Sequence, residues 1–414
     1  MTQQLKLALR TLLHGRFYSL VSLAGLSVAI AVALLVALLV QRETSFDEGF
    51  SRSDDIYRLT WQNMGTGDRF ATMFNPFSPQ MKLEFEEVEE AARMGVFELT
   101  LQAESTAHSS SGLAPAPVYE SVAMVDPAFF ELFDFDFVSG NVQALQQPNS
   151  IVLTKAAAER YFPGEDPLGR SLLLENKVTL TVAAVLREIP LNSHFTPHYF
   201  VPIETLRSLF DGAGFLENWG SDRFFHYVLL SEQANPGQLA SRLPAFLERH
   251  DHEWPLGTVE IELQPLTAIH LTTDLQDDMP VRDKVRGVIK APRQSGDLLL
   301  FTAGAFFLIL VASFNFMNLQ VARSIGRGKQ MGMLKVFGAN RRQISMQILL
   351  ESLVLCTLAL LIALVLVELS LPLFSGLLAV TLGWGDLLTP GLGGLAVLLT
   401  LGLGLVSGAW PSWL

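Results

Sequence analysis

Between Phe17 and Val40 the chain reads FYSLVSLAGLSVAIAVALLVALLV, 24 residues without one charged side chain. Lipid offers no hydrogen bonds to a backbone, so a run like this crosses a membrane only as a helix. At 1.5 Å per residue it extends about 36 Å, enough for a hydrocarbon core of roughly 30 Å. It is too long for the apolar core of a cleavable signal peptide, and no small-x-small site follows it before QRETSFDEGF. It therefore reads as an uncleaved anchor. Three further runs follow: Leu298–Ala322, Ile344–Val367 with Glu351 inside it, and the Gly-rich Leu392–Ala409.

Charge sets the orientation. Residues 1–40 carry three basic residues and no acid, and residues 323–343 carry six and none. Residues 41–296 carry 20 basic and 37 acidic residues, a net charge of -17. Basic short loops stay in the cytoplasm, which puts the acidic bulk across the bilayer. The expected fold is an α-helical membrane protein with four transmembrane helices and a large mixed α+β extracytoplasmic domain between the first and second. The expected segments are an interfacial amphipathic helix at 1–16, transmembrane helices at 17–40, 297–322, 344–367 and 392–410, the outer domain at 41–296, a cytoplasmic loop at 323–343 and a short outer loop at 368–391. In the first segment Leu5, Leu9, Leu12 and Leu13 share one helical face while Lys6, Arg10 and Arg16 lie elsewhere, a pattern that suits the membrane interface.

The outer region mixes strand and helix signals. EFEEVEEAARMGV places Phe85, Val88 and Ala92 on one face of an expected helix, with its glutamates on a solvated face. SIVLTKAAAERYFPGEDPLGRSLLL reads as strand, helix, Pro/Gly turn and strand; VTLTVAAVLREI and FFHYVLLSE read as strands; PGQLASRLPAFLERH reads as a helix burying Leu239, Leu243, Phe246 and Leu247; and TVEIELQPLTAIHL reads as a closing strand. The only cysteine, Cys356, lies in the third apolar run, so no disulfide holds the outer domain.

Enzymatic motifs are missing where they would be needed. GRGK at Gly326–Lys329 has Arg323 in place of the first P-loop glycine and Gln330 in place of Ser or Thr. GLGGLA at 391–396 opens an apolar run instead of joining a strand to a soluble helix, so its glycines read as packing residues. His194 and His198 flank Pro197, which opposes a shared helical face; His250, His252 and Glu253 offer ligand-type side chains, but zinc wants three or four that converge, and all read as surface or capping groups. No metal, cofactor or nucleic-acid partner is expected. In the first span Gly25, Ala29, Ala33 and Ala37 recur every four residues, a stripe of small side chains for helix packing or a dimer seam. Ala396, Thr400, Gly404 and Gly408 repeat the pattern in the last span. Asn315 and Asn318 share a face of the second span, where they are expected to seek partners within the bundle or to be wetted at the interface, and Glu351 lies about two turns into the third, as an interfacial carboxylate or a contact inside the bundle, with a proton relay as the outside reading.

The stretch FNFMNLQVARSIGRGKQMGMLKVFGANRRQISMQILLESLVL resembles the signature of ABC-transporter permeases of the MacB/FtsX superfamily. SIVLTKAAAERYFPGEDPLGRSL, PLTAIHL and ETSFDEGFSRSDDIYRLT resemble its periplasmic core domain. The resemblance runs from near Leu5 to Trp410. It implies a permease in the bacterial inner membrane that works with a separate ABC ATPase, which alone binds ATP. The loop after the second span would then be a coupling helix docked on that ATPase. Met331, Met333, Leu334, Val336 and Phe337 would supply its apolar face, Lys335, Arg341 and Arg342 its charge, and Gly338 its stop. The implied action is mechanotransmission for efflux, export or lipoprotein release. Further implied partners are a second permease copy or second half, a periplasmic adaptor and membrane lipid. A regulatory transducer acting on a cell-wall hydrolase, and a non-transporting membrane sensor, are the competing readings. The longer members of this superfamily carry a second similar half, and the resemblance implies that this sequence is the N-terminal half of such a permease.

Overall fold

The computed structural model describes residues 16–103, 117–190, 192–210, 214–250, 257–272, 274–279, 282–283, 288–289, 295–326, 333, 336, 340–378, 383–387 and 389–413. The chain forms two compact units, Met1–Arg42 with Gln294–Leu414, and Glu43–Arg293. The expected interfacial helix at 1–16 lies, but for Arg16, outside the described residues.

Four long apolar helices carry the first unit: Arg16–Thr44, Ser295–Gly326, Arg341–Leu378 and Pro390–Trp413. Each contains a segment long and apolar enough to span a bilayer. The third departs from its expected end at residue 367. It runs on to Leu378 through Pro372, so part of the expected outer loop at 368–391 is helix, followed by the single turn Trp384–Leu387. After Glu368 the stretch is again mostly apolar and Leu371 is buried in the bundle, which sustains a helix past a proline that removes one hydrogen bond. Leu26, Ile30, Leu34 and Leu38 of the first helix pack in one core with Phe316 of the second and Leu355, Ala359, Ala363 and Val367 of the third. Both series step by four, the spacing that keeps residues on one helical face.

In the second unit the strands of the large sheet are β1 (Ile56–Asn63), β2 (Arg69–Phe70), β3 (Val88–Ala103), β4 (Val118–Val125), β5 (Phe137–Ser139), β6 (Ser150–Thr154), β7 (Ser171–Leu174), β8 (Val178–Leu186), β9 (Tyr199–Pro202), β10 (Phe225–Leu230) and β11 (Val259–Pro265), and the short strands Arg282–Asp283 and Val288–Ile289 pair with each other. They form one mixed sheet in the order β11-β1-β10-β3-β4-β9-β6-β8-β5, with β2 on β1 and β7 against β3 and β8. The β4–β9 and β6–β8 pairs are parallel and the rest antiparallel. Side chains alternate across such a sheet. Phe225, Tyr227 and Leu229 of β10 accordingly enter one core with Phe129, Phe133, Phe195 and Phe200. Val228 and Leu230 enter another with Leu239, Leu243, Phe246 and Leu247 of the helix Pro236–His250.

The glutamate-rich stretch is not the expected helix. A helix at Phe77–Glu84 ends before it, and the chain continues into β3 from Val88. Pairing with β10 on one side and β4 on the other overrides the local helical preference. Ala92 and Met94 then face one core while Val88 and Ala91 face the other.

Candidate functional site

The connection between the second and third membrane helices begins at Gly326 and ends where Asn340 opens the third helix. The Asn340 N–H donates to Gln343 Oε1 at 3.0 Å, and its carbonyl accepts from the backbone N–H of Gln343 and Ile344. This is the returning half of a capping box, the third-position side chain satisfying the cap residue's N–H. It fixes the entry of the chain into the bundle directly after the basic segment. Within the connection Met333 and Val336 are helical and exposed, 61% and 86% respectively. Arg342 is exposed on the first turn of the third helix, and Arg341 begins that helix. Met331, Leu334, Lys335, Phe337 and Gly338 lie outside the described residues.

Just inside this end of the bundle sits a small polar group. Gln320 Nε2 of the second helix donates to Ser352 Oγ of the third at 3.2 Å, both buried. Glu351 is 4% exposed and accepts from Gln347 Nε2 at 3.4 Å, so of its two expected positions it takes the one inside the bundle. Asn315 and Asn318 are exposed; Gln320, which the sequence did not single out, is the inward polar residue of that helix. A helical turn carries Gln320 onto the face of Phe316, the buried aromatic, and that four-residue step was the available signal.

The two small-residue stripes differ. In the first helix Ala29 and Ala33 are buried, Ala37 is half-buried and Gly25 is exposed. In the last helix Ala396, Thr400, Gly404 and Gly408 are all buried. A Cβ on Gly404 would meet Leu353 Cδ2 at 2.7 Å and its Cα at 3.3 Å; one on Gly408 would meet Leu349 Cδ2 at 3.0 Å and Ser352 Oγ at 3.1 Å. The third and fourth helices therefore touch where the fourth has no side chain to separate them.

In the outer domain the histidines are not surface groups alone. His250 pairs with Glu84 and stacks on Trp219, and His198 Nδ1 lies 3.1 Å from Thr154 Oγ1. His194, expected as a surface or capping group, has a side chain only 6% exposed. Its Nδ1 lies 2.8 Å from Asp47 Oδ2 and its Nε2 lies 2.8 Å from the Tyr227 hydroxyl. Burial alone would raise the Asp47 pKa; the His194 charge and the hydrogen bonds from His194 and Ser193 outweigh it and hold the carboxyl below its ordinary value. His252 and Glu253 lie outside the described residues. Among the described residues no three His, Cys, Asp or Glu side chains converge as metal ligands would.

Two family models match the chain: the MacB-like periplasmic core domain over residues 19–246 and the FtsX-like permease C-terminal region over residues 302–414. Among solved structures, a domain assigned to a permease protein of Porphyromonas gingivalis is 21% identical, with a TM-score of 0.44 over 56% of this chain and 96% of its own. The periplasmic region of MacB from Actinobacillus actinomycetemcomitans is 14% identical, with a TM-score of 0.37 over 51% of this chain and 91% of its own. The extracellular domain of the noncanonic ABC-type transporter YknZ from Gram-positive bacteria is 13% identical, with a TM-score of 0.36 over 50% of this chain and 99% of its own. No curated protein matches.

Proposed function

Because this chain belongs to the MacB/FtsX-type ABC permeases, with a MacB-like periplasmic core domain followed by an FtsX-like permease region, we propose that it couples ATP hydrolysis by a separate ABC ATPase to movement of its periplasmic domain. The observation that carries this reading is the segment between the second and third membrane helices. One membrane crossing separates it from the outer domain. It is basic throughout, and it presents Met333 and Val336 to solvent on a helical turn. Charge alone would satisfy a topological anchor. Exposed apolar residues amid that charge suit a partner surface that is apolar at its centre and acidic at its rim. Leu334 and Phe337 would complete the apolar face, and Lys335, Arg341 and Arg342 would pair with partner acids.

In this reading the chain sits in the bacterial inner membrane and works beside a second permease copy or half. It makes no ATP chemistry of its own and drives efflux, export or lipoprotein release mechanically, with a periplasmic adaptor as a further partner. Replacing Leu334→Asp together with Phe337→Asp is expected to abolish co-purification of the ABC ATPase while membrane insertion is unchanged. Undiminished co-purification would remove the docking role. A regulatory transducer would show altered cell-wall hydrolysis in place of lost export in the same variant.

A further inference from the structure

Residues 282–293 differ in charge from the rest of the outer region. They carry Arg282, Lys284, Arg286, Lys290 and Arg293 against one acid, Asp283, whereas residues 41–281 carry 15 basic and 36 acidic residues. The second membrane helix begins two residues later, at Ser295. Lys and Arg within about 15 residues of a span favour the cytoplasmic side. Five of them at the outer end of this helix oppose the six in residues 323–343 at its inner end, and so weaken the signal that orients it. Topology therefore does not account for them.

Their place in the chain limits where they can be. A chain spans at most about 3.6 Å per residue, so Arg293 lies within about 7 Å of Ser295 and Lys290 within about 18 Å. The two short strands fold the segment back on itself, with Arg282 opposite Ile289 and Asp283 opposite Val288. Opposed residues of an antiparallel pair are about 5 Å apart, so Arg282 stays within about 27 Å of Ser295, where an extended chain would allow about 47 Å. Lys284 and Arg286, between the strands, stay within about 35 Å. Of the five, Arg282 is among the described residues, and the reach of the other four follows from chain length. The backbone ladder thus gathers the charges toward the outer end of a span.

Two of the three acids just before the segment are engaged elsewhere. Asp274 pairs with Arg69, and Asp278 accepts from the buried Arg58 at 2.6 and 3.0 Å. We propose that residues 282–293 are a lipid-binding hairpin, which takes the phosphodiester headgroups of anionic phospholipids in the outer leaflet beside the second membrane helix. Each Lys or Arg near an anionic surface strengthens attachment on the order of fivefold, and Arg forks onto phosphate oxygens. Val285, Val288 and Ile289 interleave with the charges, a composition that suits the boundary between headgroups and acyl chains. An acidic protein surface would satisfy the charge alone; the apolar residues and the covalent tie to a span favour lipid.

The test uses the full chain in nanodiscs of phosphatidylcholine alone or of phosphatidylcholine with phosphatidylglycerol. A fluorophore is placed at Val285→Cys in a Cys356→Ala background, and lipids spin-labelled at the headgroup quench it on contact. Quenching is expected in the mixed discs, and raising salt from about 0.05 M to about 0.5 M should remove most of it. Arg282→Gln, Lys284→Gln and Arg286→Gln together should reduce quenching at least about fivefold, to the level in phosphatidylcholine alone. Arg282→Lys with Arg286→Lys, which keeps the charge, should leave it within about twofold of the wild type. Equal quenching in both lipid compositions, or quenching that survives the triple replacement, overturns the proposal. So does a label that no lipid quenches, whether aqueous iodide reaches it, as on a hairpin free in water, or does not, as on one held against protein. No ATPase takes part, so the outcome is independent of the coupling role proposed above.

Discussion

The two units bury polar side chains in opposite ways. In the outer domain buried polar groups join residues far apart in sequence: Arg58 to Asp278, Arg93 to Asp126, His194 to Asp47. In the bundle the buried hydroxyls mostly turn back on their own helix, Ser27 to the Leu23 carbonyl, Thr400 to Ala396 and Ser352 to Ile348, each four residues earlier. The helices then meet through small residues and apolar side chains, with Gln320–Ser352 as a cross-helix hydrogen bond among the described residues. A water-facing domain gains a unique arrangement from polar cross-links inside an apolar core. Helices in lipid gain little from leaving the acyl tails, so close backbone approach holds them. One unit is held by polar cross-links between distant segments; the other is held by close packing of apolar and small residues between helices.

The strongest way to break that contrast is to remove one cross-link. Asp278→Ala leaves a fully buried guanidinium without its counter-ion. The expected loss of outer-domain stability is about 3 kcal/mol, the low end for a broken buried pair because Asp278 is partly solvated. Denaturant unfolding measures it. Arg58→Met combined with Asp278→Leu should recover most of the loss by replacing the pair with apolar contact. A loss below about 1 kcal/mol in the single variant would mean that polar links do not hold this unit.

The bundle offers the converse experiment. Gly404→Val forces a branched side chain against the Leu353 backbone and is expected to cost about 1–3 kcal/mol through overpacking. Gly402, where an added Cβ would meet nothing within 4 Å, is the control, and Gly402→Val should leave thermal unfolding in detergent nearly unchanged. Equal effects at the two glycines would show that the fourth helix is not seated by close approach.

The same physics decides what could be read in the sequence. The apolar spans were legible because a bilayer imposes length and hydrophobicity on each run alone. The helix at Pro236–His250 was legible down to its four buried residues, since one amphipathic stripe records its own burial. The stretch 84–96 misled because its glutamates obey helical spacing while the pairing of β3 depends on distant strands, β10 more than a hundred residues away and β4 some thirty. His194 was misplaced for the same reason: its partners Asp47 and Tyr227 lie 147 and 33 positions away, and no local pattern marks them. The docking role proposed for the basic segment rests on resemblance and charge, with the exposed Met333 and Val336 as its structural support. Sequence periodicity reports what a segment does by itself, and the cross-linked unit is built from what segments do to each other.

A buried histidine provides the smallest and most selective test of that cross-linking. His226 is fully buried, and its Nδ1 lies 2.8 Å from Ser78 Oγ and accepts from the Ser78 backbone N–H at 3.2 Å. Burial, and after it the nearby Arg93 guanidinium, pushes its pKa well below the ordinary imidazole range, so the folded domain holds it neutral. Unfolding exposes a ring that takes up a proton below about pH 6.5, and the unfolded state then binds more protons than the folded one. Stability therefore falls as the pH drops through that value and is retained above it. Between pH 7 and 5.5 the expected loss from this group is about 1 kcal/mol. His226→Asn keeps an acceptor near the Nδ1 position and cannot titrate, so its unfolding should lose this part of the pH dependence while a constant offset remains. If wild type and His226→Asn follow parallel pH profiles, the histidine is reached by water, and the core between β10 and the helix Phe77–Glu84 is looser than its contacts indicate.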